Sequence, residues 1–532
     1  MTLLVPQGMA YAELAGLPAI TGLYTTVVCL VAYALVGPSP VLVLGPDSAL
    51  GPMIAATILP LAAGNQEQAI ALAGLLAILV GVITYGAGVL KLGFVADLLS
   101  DPVRTGYLAG LSVVILIGQL PKLFGFSTDA SGLGAEVAAF LAGLRDGLTN
   151  PWALGIGLLS LGVILGLARW VPRTPGILVA VVLSLALSTI LDLVARGVSV
   201  VGVLPQGFPM PSIPSAGISD LPLLVASAIG ISLVAVGDTI STSGGFATRT
   251  GSEVDGNREL VGIGSANLAA GLFSGFPVST SASRTAVAIQ SGSRTQLTGL
   301  VAAALVLLML LFVPGLVGAM PQPVLAAVVI TASIGLFDVD KLRWLRRVRP
   351  AEFRLAVACA LGVMFLGVLP GIVVAVALSV LYVFKRAWQP YSVVLGRSPE
   401  VPGYHGIDRY PAARQVPGLL ILRWSAPLFF ANANQFRDRI RELIAAADAP
   451  PRWVLVAAEP ITDIDTTAGE ILRALDEELN AVGIHLAFAE LQSGVRDSIV
   501  RYGLLETIDQ GHFYRTIEEA VDAFRSDFGA HT

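Results

Sequence analysis

Arg284 lies in Gly275-Phe-Pro-Val-Ser-Thr-Ser-Ala-Ser-Arg-Thr285, a polar stretch broken by glycine and proline between two apolar runs of membrane-spanning length. A guanidinium at membrane depth costs about 2.5–3.5 kcal/mol on insertion scales, so its presence there points to function. Phe276–Thr280 reads as a short extended piece, and the small hydroxylated residues after it can open a helix. Such a helix aims backbone N–H groups and a positive dipole end inward. With Arg284, and with the hydroxyls of Ser279, Ser281 and Ser283, it makes a site suited to an anion. The bland alternatives are an arginine paired with a core carboxylate and serines that only let helices approach closely. A second residue with chemistry is Asp238, at the end of the apolar run Ala228–Asp238. A lone carboxylate there must pair, protonate or hold a cation. Thr242 falls four residues on, on the same helical face.

These groups need a membrane scaffold, and the composition supplies one. The chain has 532 residues, 55% hydrophobic and 13% charged, with a mean hydropathy of +0.78. Runs such as Val301–Val313 and Leu355–Phe384 suit helices that cross a hydrocarbon core. The alternation of a β-barrel is absent. Apolar runs bounded by Gly, Pro and charge divide residues 1–388 into roughly thirteen to fourteen segments. Residues 121–151 are more polar and read as an external loop. Val41-Leu-Val-Leu-Gly-Pro-Asp-Ser-Ala49 has the same design as Gly275–Ser283: an extended piece, a Gly/Pro break, then a small-residue helix start. Each falls in the third segment of its half, which points to inverted repeats and a midplane site. Asp47, at such a helix start, reads as a carboxylate favoured by the dipole. Glu13 and Asp101-Pro-Val-Arg104 read as interfacial or gate-domain structure, without a catalytic role.

The basic stretch Lys341–Arg349 and the pair Lys385-Arg386 set topology and face the cytoplasm, with no nucleic acid implied. Cys29 and Cys359 read as small core residues, and the four histidines form no metal constellation. The N-terminus lacks the pattern of a signal peptide. Residues 1–390 form the transmembrane domain, 391–416 a linker and 417–532 a small α/β domain whose strands and helices alternate. In that domain Asn432 or Asn434 is expected to cap the helix at Ala433–Ala447.

The chain resembles the SulP (sulfate permease) family of anion transporters with a C-terminal STAS domain. The resemblance rests on Val5-Pro-Gln-Gly-Met-Ala-Tyr-Ala-Glu-Leu-Ala-Gly-Leu-Pro18, Gly22-Leu-Tyr24, Leu44-Gly-Pro46 and Asn257-Arg-Glu-Leu260. It continues through Asn267–Phe273, Gly275–Ser279 and Ser283-Arg-Thr285 to Tyr410-Pro411, Val416-Pro-Gly418 and Ala426–Asn432. It implies a uracil-permease-like fold of two inverted seven-segment repeats. A core domain (segments 1–4 and 8–11) then moves against a gate domain (segments 5–7 and 12–14), as an elevator. Substrate is expected between the starts of the short helices in segments 3 and 10, at Gly45, Pro46, Ser281, Ser283 and Arg284. Gln7 matches a family glutamine facing the site, and Tyr11 shares that face one turn later. Sodium-coupled members use an Asp and a hydroxyl spaced like Asp238 and Thr242, so Na⁺ and H⁺ are both open as coupling ion. Met1 falls inside what the family has as segment 1, so the first half of that helix is expected to be missing.

The function implied is secondary active transport of an inorganic anion, sulfate by family default, with bicarbonate and C4-dicarboxylates as alternatives. A membrane sensor signalling through the STAS domain is the alternative from another class. A nucleobase permease shares the fold but carries acidic residues in both segments 8 and 10, where this chain has Arg284 in the latter. No enzyme is read: no nucleophile–base pair, metal spacing or phosphate-binding glycine loop occurs. No cofactor is expected beyond the coupling ion. The expected partners are the anion, the lipid bilayer of the inner (plasma) membrane and a second copy of the chain, with the STAS domain cytoplasmic. Asp465-Thr466-Thr467-Ala468 resembles a loop of anti-sigma-factor antagonists in which the residue at the Thr467 position is phosphorylated. A plain helix cap by Asp465 or Thr466 is the other reading of that loop.

Overall fold

The computed structural model describes residues 3–93, 100–128, 130, 132–171, 174–202, 207–214, 217, 220–250, 255–312, 315, 318–508 and 510–528. The chain divides into two compact units, Met1–Ser379 and Val380–Thr532. The first unit opens with α1 (Leu4–Leu14) and α2 (Ala19–Val36), then the two-residue strand β1 (Leu44–Gly45), which leads into the short α3 (Gly51–Ala62). The helices α4 (Gln66–Val89), α5 (Asp101–Phe124), α6 (Leu133–Arg145), α7 (Pro151–Trp170) and α8 (Gly176–Ile190) complete the first half. The second half follows the same order with α9 (Leu221–Thr250), α10 (Gly256–Leu272), β2 (Ser279–Thr280), the short α11 (Ala282–Gln290) and α12 (Leu297–Phe312). It ends with α13 (Gln322–Leu336), α14 (Val339–Val348), α15 (Pro350–Leu366) and α16 (Val368–Trp388). With α6 and α14 set aside, each half holds seven segments with the broken one in third place. This is the polytopic helical fold of paired seven-segment repeats.

Two helices escaped the sequence reading. The stretch 121–151, read as a loop, contains α6. Its apolar stripe is diluted by Gly and Ala, but Phe140 packs on Phe124 with ring centroids 5.1 Å apart. The basic stretch after Phe337 is α14, an amphipathic helix capped by Asp338, whose side chain accepts from Lys341 N.

The helices pack in two groups. In one, α1, α2, α4, α9, α10 and α12 pack on each other; in the other, α5, α7, α8, α13 and α15 do so. Helix α1 touches α13 and α8 and so joins the groups. The most extensive contact, α4 on α10, runs along glycines. Gly74, Gly81 and Gly88 on α4 face Gly271, Gly264 and Asn257 on α10, so both helices repeat the contact every seven residues. A Cβ on Gly264 would lie 2.5 Å from the backbone nitrogen of Tyr85. Small residues let membrane helices approach closely, because van der Waals contact rather than water exclusion holds them. Beside this stripe the buried carboxylate of Glu259 on α10 accepts from the Tyr33 hydroxyl on α2 at 2.6 Å.

In the second unit, β3 (Ser392–Arg397), β4 (Tyr404–Gly406), β5 (Leu419–Trp424), β6 (Trp453–Ala457), β7 (His485–Ala489) and β8 (Phe513–Tyr514) form one sheet in the order β4-β3-β5-β6-β7-β8. Strands β5 to β8 are parallel, and β3 runs antiparallel to β4 and β5. Residues alternate between faces with period two. Leu420, Leu422 and Trp424 meet α17 (Ala433–Ala445), α18 (Thr466–Ala481) and α19 (Ser493–Arg501), while Leu419 and Ile421 meet α20 (Ile517–Phe528). The stretch 391–416, read as a linker, holds β3 and β4. Its apolar run Val393-Val-Leu395 is too short to stand out among Pro, Gly and Arg. Asn432 precedes α17 without a capping hydrogen bond from its side chain. It closes the preceding loop instead, accepting from Phe429 N at 3.0 Å and donating to the Pro427 carbonyl at 2.9 Å.

The glycine stripe predicts that Gly264→Leu lowers the thermal unfolding temperature of detergent-purified protein, at a cost of about 1–3 kcal/mol. Gly86→Leu on α4, where a Cβ meets nothing within 4 Å, should leave that temperature unchanged. In the second unit Asn432→Ala should cost about 1–3 kcal/mol, read from chemical denaturation followed by the fluorescence of Trp424 and Trp453.

Candidate functional site

Two interrupted membrane segments meet at β1 and β2, which pair antiparallel with Leu44 opposite Thr280 and Gly45 opposite Ser279. Extended backbone at membrane depth is stable only where its polar groups find partners inside the protein. Here the two segments satisfy each other. Beyond the strands, Ser281 N donates to the Val43 carbonyl and Val43 N donates to Thr285 Oγ1, each at 3.0 Å. Side chains finish the task. The Asn267 amide accepts from Val278 N at 2.9 Å and donates to the Val278 carbonyl at 3.2 Å, as a neighbouring strand would. Thr25 Oγ1 accepts from Phe276 N at 3.3 Å. The Thr280 hydroxyl donates to Thr239 Oγ1 at 2.6 Å and so ties β2 to α9.

Each strand turns into a helix start. Ser281 caps α11, its hydroxyl accepting from Arg284 N at 3.4 Å and lying 3.2 Å from the Ser283 hydroxyl. Asp47 Oδ1 accepts from Ala49 N at 2.8 Å in the turn that leads into α3. A cavity of about 420 Å³ opens in front of both starts. One wall is Gln7, Tyr11, Asp47, Ser48, Ala49, Asp238, Thr242 and Thr280 to Ser283; the other is Arg104, Leu108, Ile177 and part of α13 from Val328 to Leu336. The walls come from the two packing groups of helices.

Of the residues read from the sequence, the structure brings Gln7, Tyr11, Ser281, Ser283, Asp238 and Thr242 together on the lining. Gly45, Pro46 and Arg284 lie one layer behind. Arg284 is 4% exposed, and its Nη2 donates to the Pro46 carbonyl. The guanidinium rests on Gly45, where a Cβ would come within 2.5 Å of Nη1. The hydrogen bond to Pro46 and the space left by Gly45 hold the guanidinium behind the wall that Ser281 and Ser283 line. Among the described residues Arg284 Nε and Nη1 have no partner, nor does Gln7 Oε1. Glu13 pairs with Lys122 at 3.9 Å, in line with a structural role. Asp465 caps α18, accepting from Ala468 N at 2.8 Å, and Thr467 is exposed in the first turn of that helix.

Sequence reasoning missed Arg104 and the α13 wall. Arg104 gives the same signal as Arg284, a cation within an apolar segment, but its closeness to Asp101 suggested an interfacial place. Thr331, Ala332 and Gly335 on α13 give no signal at all, since small residues in a membrane helix most often serve packing.

A family profile described as "Sulfate permease family" matches residues 1–359, and one described as "STAS domain" matches residues 410–520. A protein of Mycobacterium tuberculosis (strain ATCC 25618 / H37Rv) named a probable sulfate transporter is 40% identical over 98% of this chain and 93% of its own length. A chloroplastic sulfate transporter of Arabidopsis thaliana is 33% identical over 98% of this chain and 78% of its own length. Among solved structures, the murine anion transporter of solute carrier family 26, member A9, in its inward-facing state superposes with a TM-score of 0.89 over 99% of this chain and 90% of its own, at 23% identity. The transmembrane domain of the cyanobacterial bicarbonate transporter BicA covers 70% of this chain and 94% of its own, with a TM-score of 0.62 and 26% identity. The chain therefore belongs to the sulfate permease family of anion transporters and carries the STAS domain as its second unit.

Proposed function

We propose that the chain is a secondary active transporter of inorganic anions, with sulfate as its substrate and an elevator-type mechanism. The observation that carries this reading is the Arg284 guanidinium, buried directly behind two helix starts with Nε and Nη1 unpartnered among the described residues. Its charge, which no described carboxylate meets in an ion pair, and the two dipole ends add their fields in the cavity, where low dielectric preserves them. The relatives named for sulfate support the choice of anion. Bicarbonate is the second reading, supported by the likeness to the BicA transmembrane domain.

Alternating access is supported by the cavity's place between two helix groups, since sliding one group past the other moves one wall and keeps the other intact. Asp238 and Thr242 carry the coupling ion in this reading, as a proton on the carboxylate or as Na⁺ held with the hydroxyls of Thr242 and Thr280. The basic helix α14 and Lys385-Arg386 support an inner-membrane topology in which they and the STAS domain face the cytoplasm. A homodimer and phosphorylation at Thr467 belong to the same reading, on family resemblance and loop likeness respectively.

Proteoliposome uptake of labelled sulfate, bicarbonate and fumarate, each with and without Na⁺ and a pH gradient, tests the substrate and the coupling ion. No uptake of sulfate or bicarbonate under any gradient refutes the reading. Arg284→Ala should reduce sulfate uptake about tenfold or more while the protein keeps its size-exclusion profile. Asp238→Asn should abolish accumulation driven by whichever ion gradient drives the wild type. Undiminished accumulation in that variant removes Asp238 from the coupling role.

A further inference from the structure

The two walls of the cavity differ in charge. The wall built on α1, α9 and the two helix starts carries Asp47 and Asp238. Among the described lining residues, the wall built on α5, α8 and α13 carries a single charge, Arg104. Arg104 is half-buried in the first turn of α5. The acid placed to pair with it on the same helix is Asp101, three residues earlier. Asp101 is already taken, because Lys341 Nζ lies 2.6 Å from its carboxylate. The Arg104 side chain then makes no hydrogen bond or ion pair with any described residue, although its charge acts on Asp238 across the cavity.

Charge balance shows what this cation is for. Arg284 sits behind Gly45 and Pro46 and reaches the cavity only through its field. Two lining carboxylates facing one lining cation and one cation in the layer behind give no net charge. Without Arg104 the lining would carry two negative charges, and a dianion would be repelled more strongly than a monoanion. The guanidinium also presents a planar fork of donors that suits an oxyanion.

We propose that Arg104 is a substrate-contacting residue that sets charge preference: it supplies the direct cationic contact of the transported anion and offsets Asp238 when the cavity is empty. The inference rests on the anion-transport reading above. Arg104 rides on α5, packed against α13 and α15, whereas Ser281, Ser283 and Asp238 belong to the opposite wall. Sliding of the two groups therefore changes the distance from Arg104 to the anion and leaves the contacts of the helix starts in place. Arg104 holds the anion in one arrangement and releases it in the other, with twice the electrostatic effect on a dianion.

The test compares wild type, Arg104→Gln and Arg104→Lys as full chains, with two readouts. Binding of sulfate and of bicarbonate is titrated calorimetrically in detergent, and KM and maximal rate for both are measured in proteoliposomes. The Gln variant should weaken sulfate binding and raise the sulfate KM about tenfold or more, with a smaller change for bicarbonate. The Lys variant should recover most of the sulfate affinity. Unchanged sulfate affinity in Arg104→Gln overturns the inference, and so do equal losses for sulfate and bicarbonate. A Lys variant as impaired as the Gln variant, at a wild-type size-exclusion profile, assigns Arg104 to structure and overturns it too. If the wild type binds anions but transports none, the transport reading fails while the contact with Arg104 is still judged by the calorimetry.

Discussion

The antiparallel pairing of Leu44-Gly45 with Ser279-Thr280 is the constraint on which the membrane unit depends. A membrane segment that stops being helical exposes backbone donors and acceptors at a depth where water cannot serve them. One such interruption alone would be prohibitive; two interruptions facing each other cancel most of the cost. What the pair leaves over is met by the side chains of Asn267, Thr25 and Thr285, which act there as extra backbone. Because both strands end at the same depth, both following helices begin there. The convergence of the two helix starts on one cavity is thus a by-product of how the broken segments are satisfied, without any residue being spent on aiming them.

This explains how much of the site was legible in the residues. Gly45-Pro46 and Gly275-Phe-Pro277 are chemically conspicuous in apolar surroundings, so the broken segments, the paired halves and the cavity-lining Ser281 and Ser283 could be read directly. Depth within a wall could not. A one-dimensional pattern places Arg284 near the site but does not say that its guanidinium turns back onto the Pro46 carbonyl. That depends on the phase of α11 and on the missing side chain at Gly45, a relation between residues more than two hundred positions apart. The second wall was illegible for a different reason. Apolar and small residues on α13 serve a cavity by shape alone, and shape is set by the packing of α13 on α5 and α7.

The second unit shows the same limit in a soluble setting. Strands β5, β6 and β7 were visible because each is a run of mostly buried apolar residues, whereas the hairpin of β3 and β4 hides among turn-forming residues and the two-residue β8 is too short to show. An edge hairpin needs only one well-buried stretch, since the sheet beside it supplies the register. Compositional boundaries therefore fall inside the folded unit, and the stretch that looks like a tether is its first pair of strands.

The glycine stripe between α4 and α10 has a mechanical meaning. Side-chain contacts between helices can relax through small rotamer changes, so such interfaces have some compliance. Here backbone lies against backbone at Gly74, Gly81, Gly264 and Gly271, and no rotamer is available to absorb a displacement. The spacing of seven on both helices also favours this register, because a shift of one turn would take the glycines out of step. The two helices therefore form a single stiff strut. Since Asn267 on α10 holds Val278, the extended segment before α11 is fastened to that strut, and the start of α11 has its place fixed relative to it.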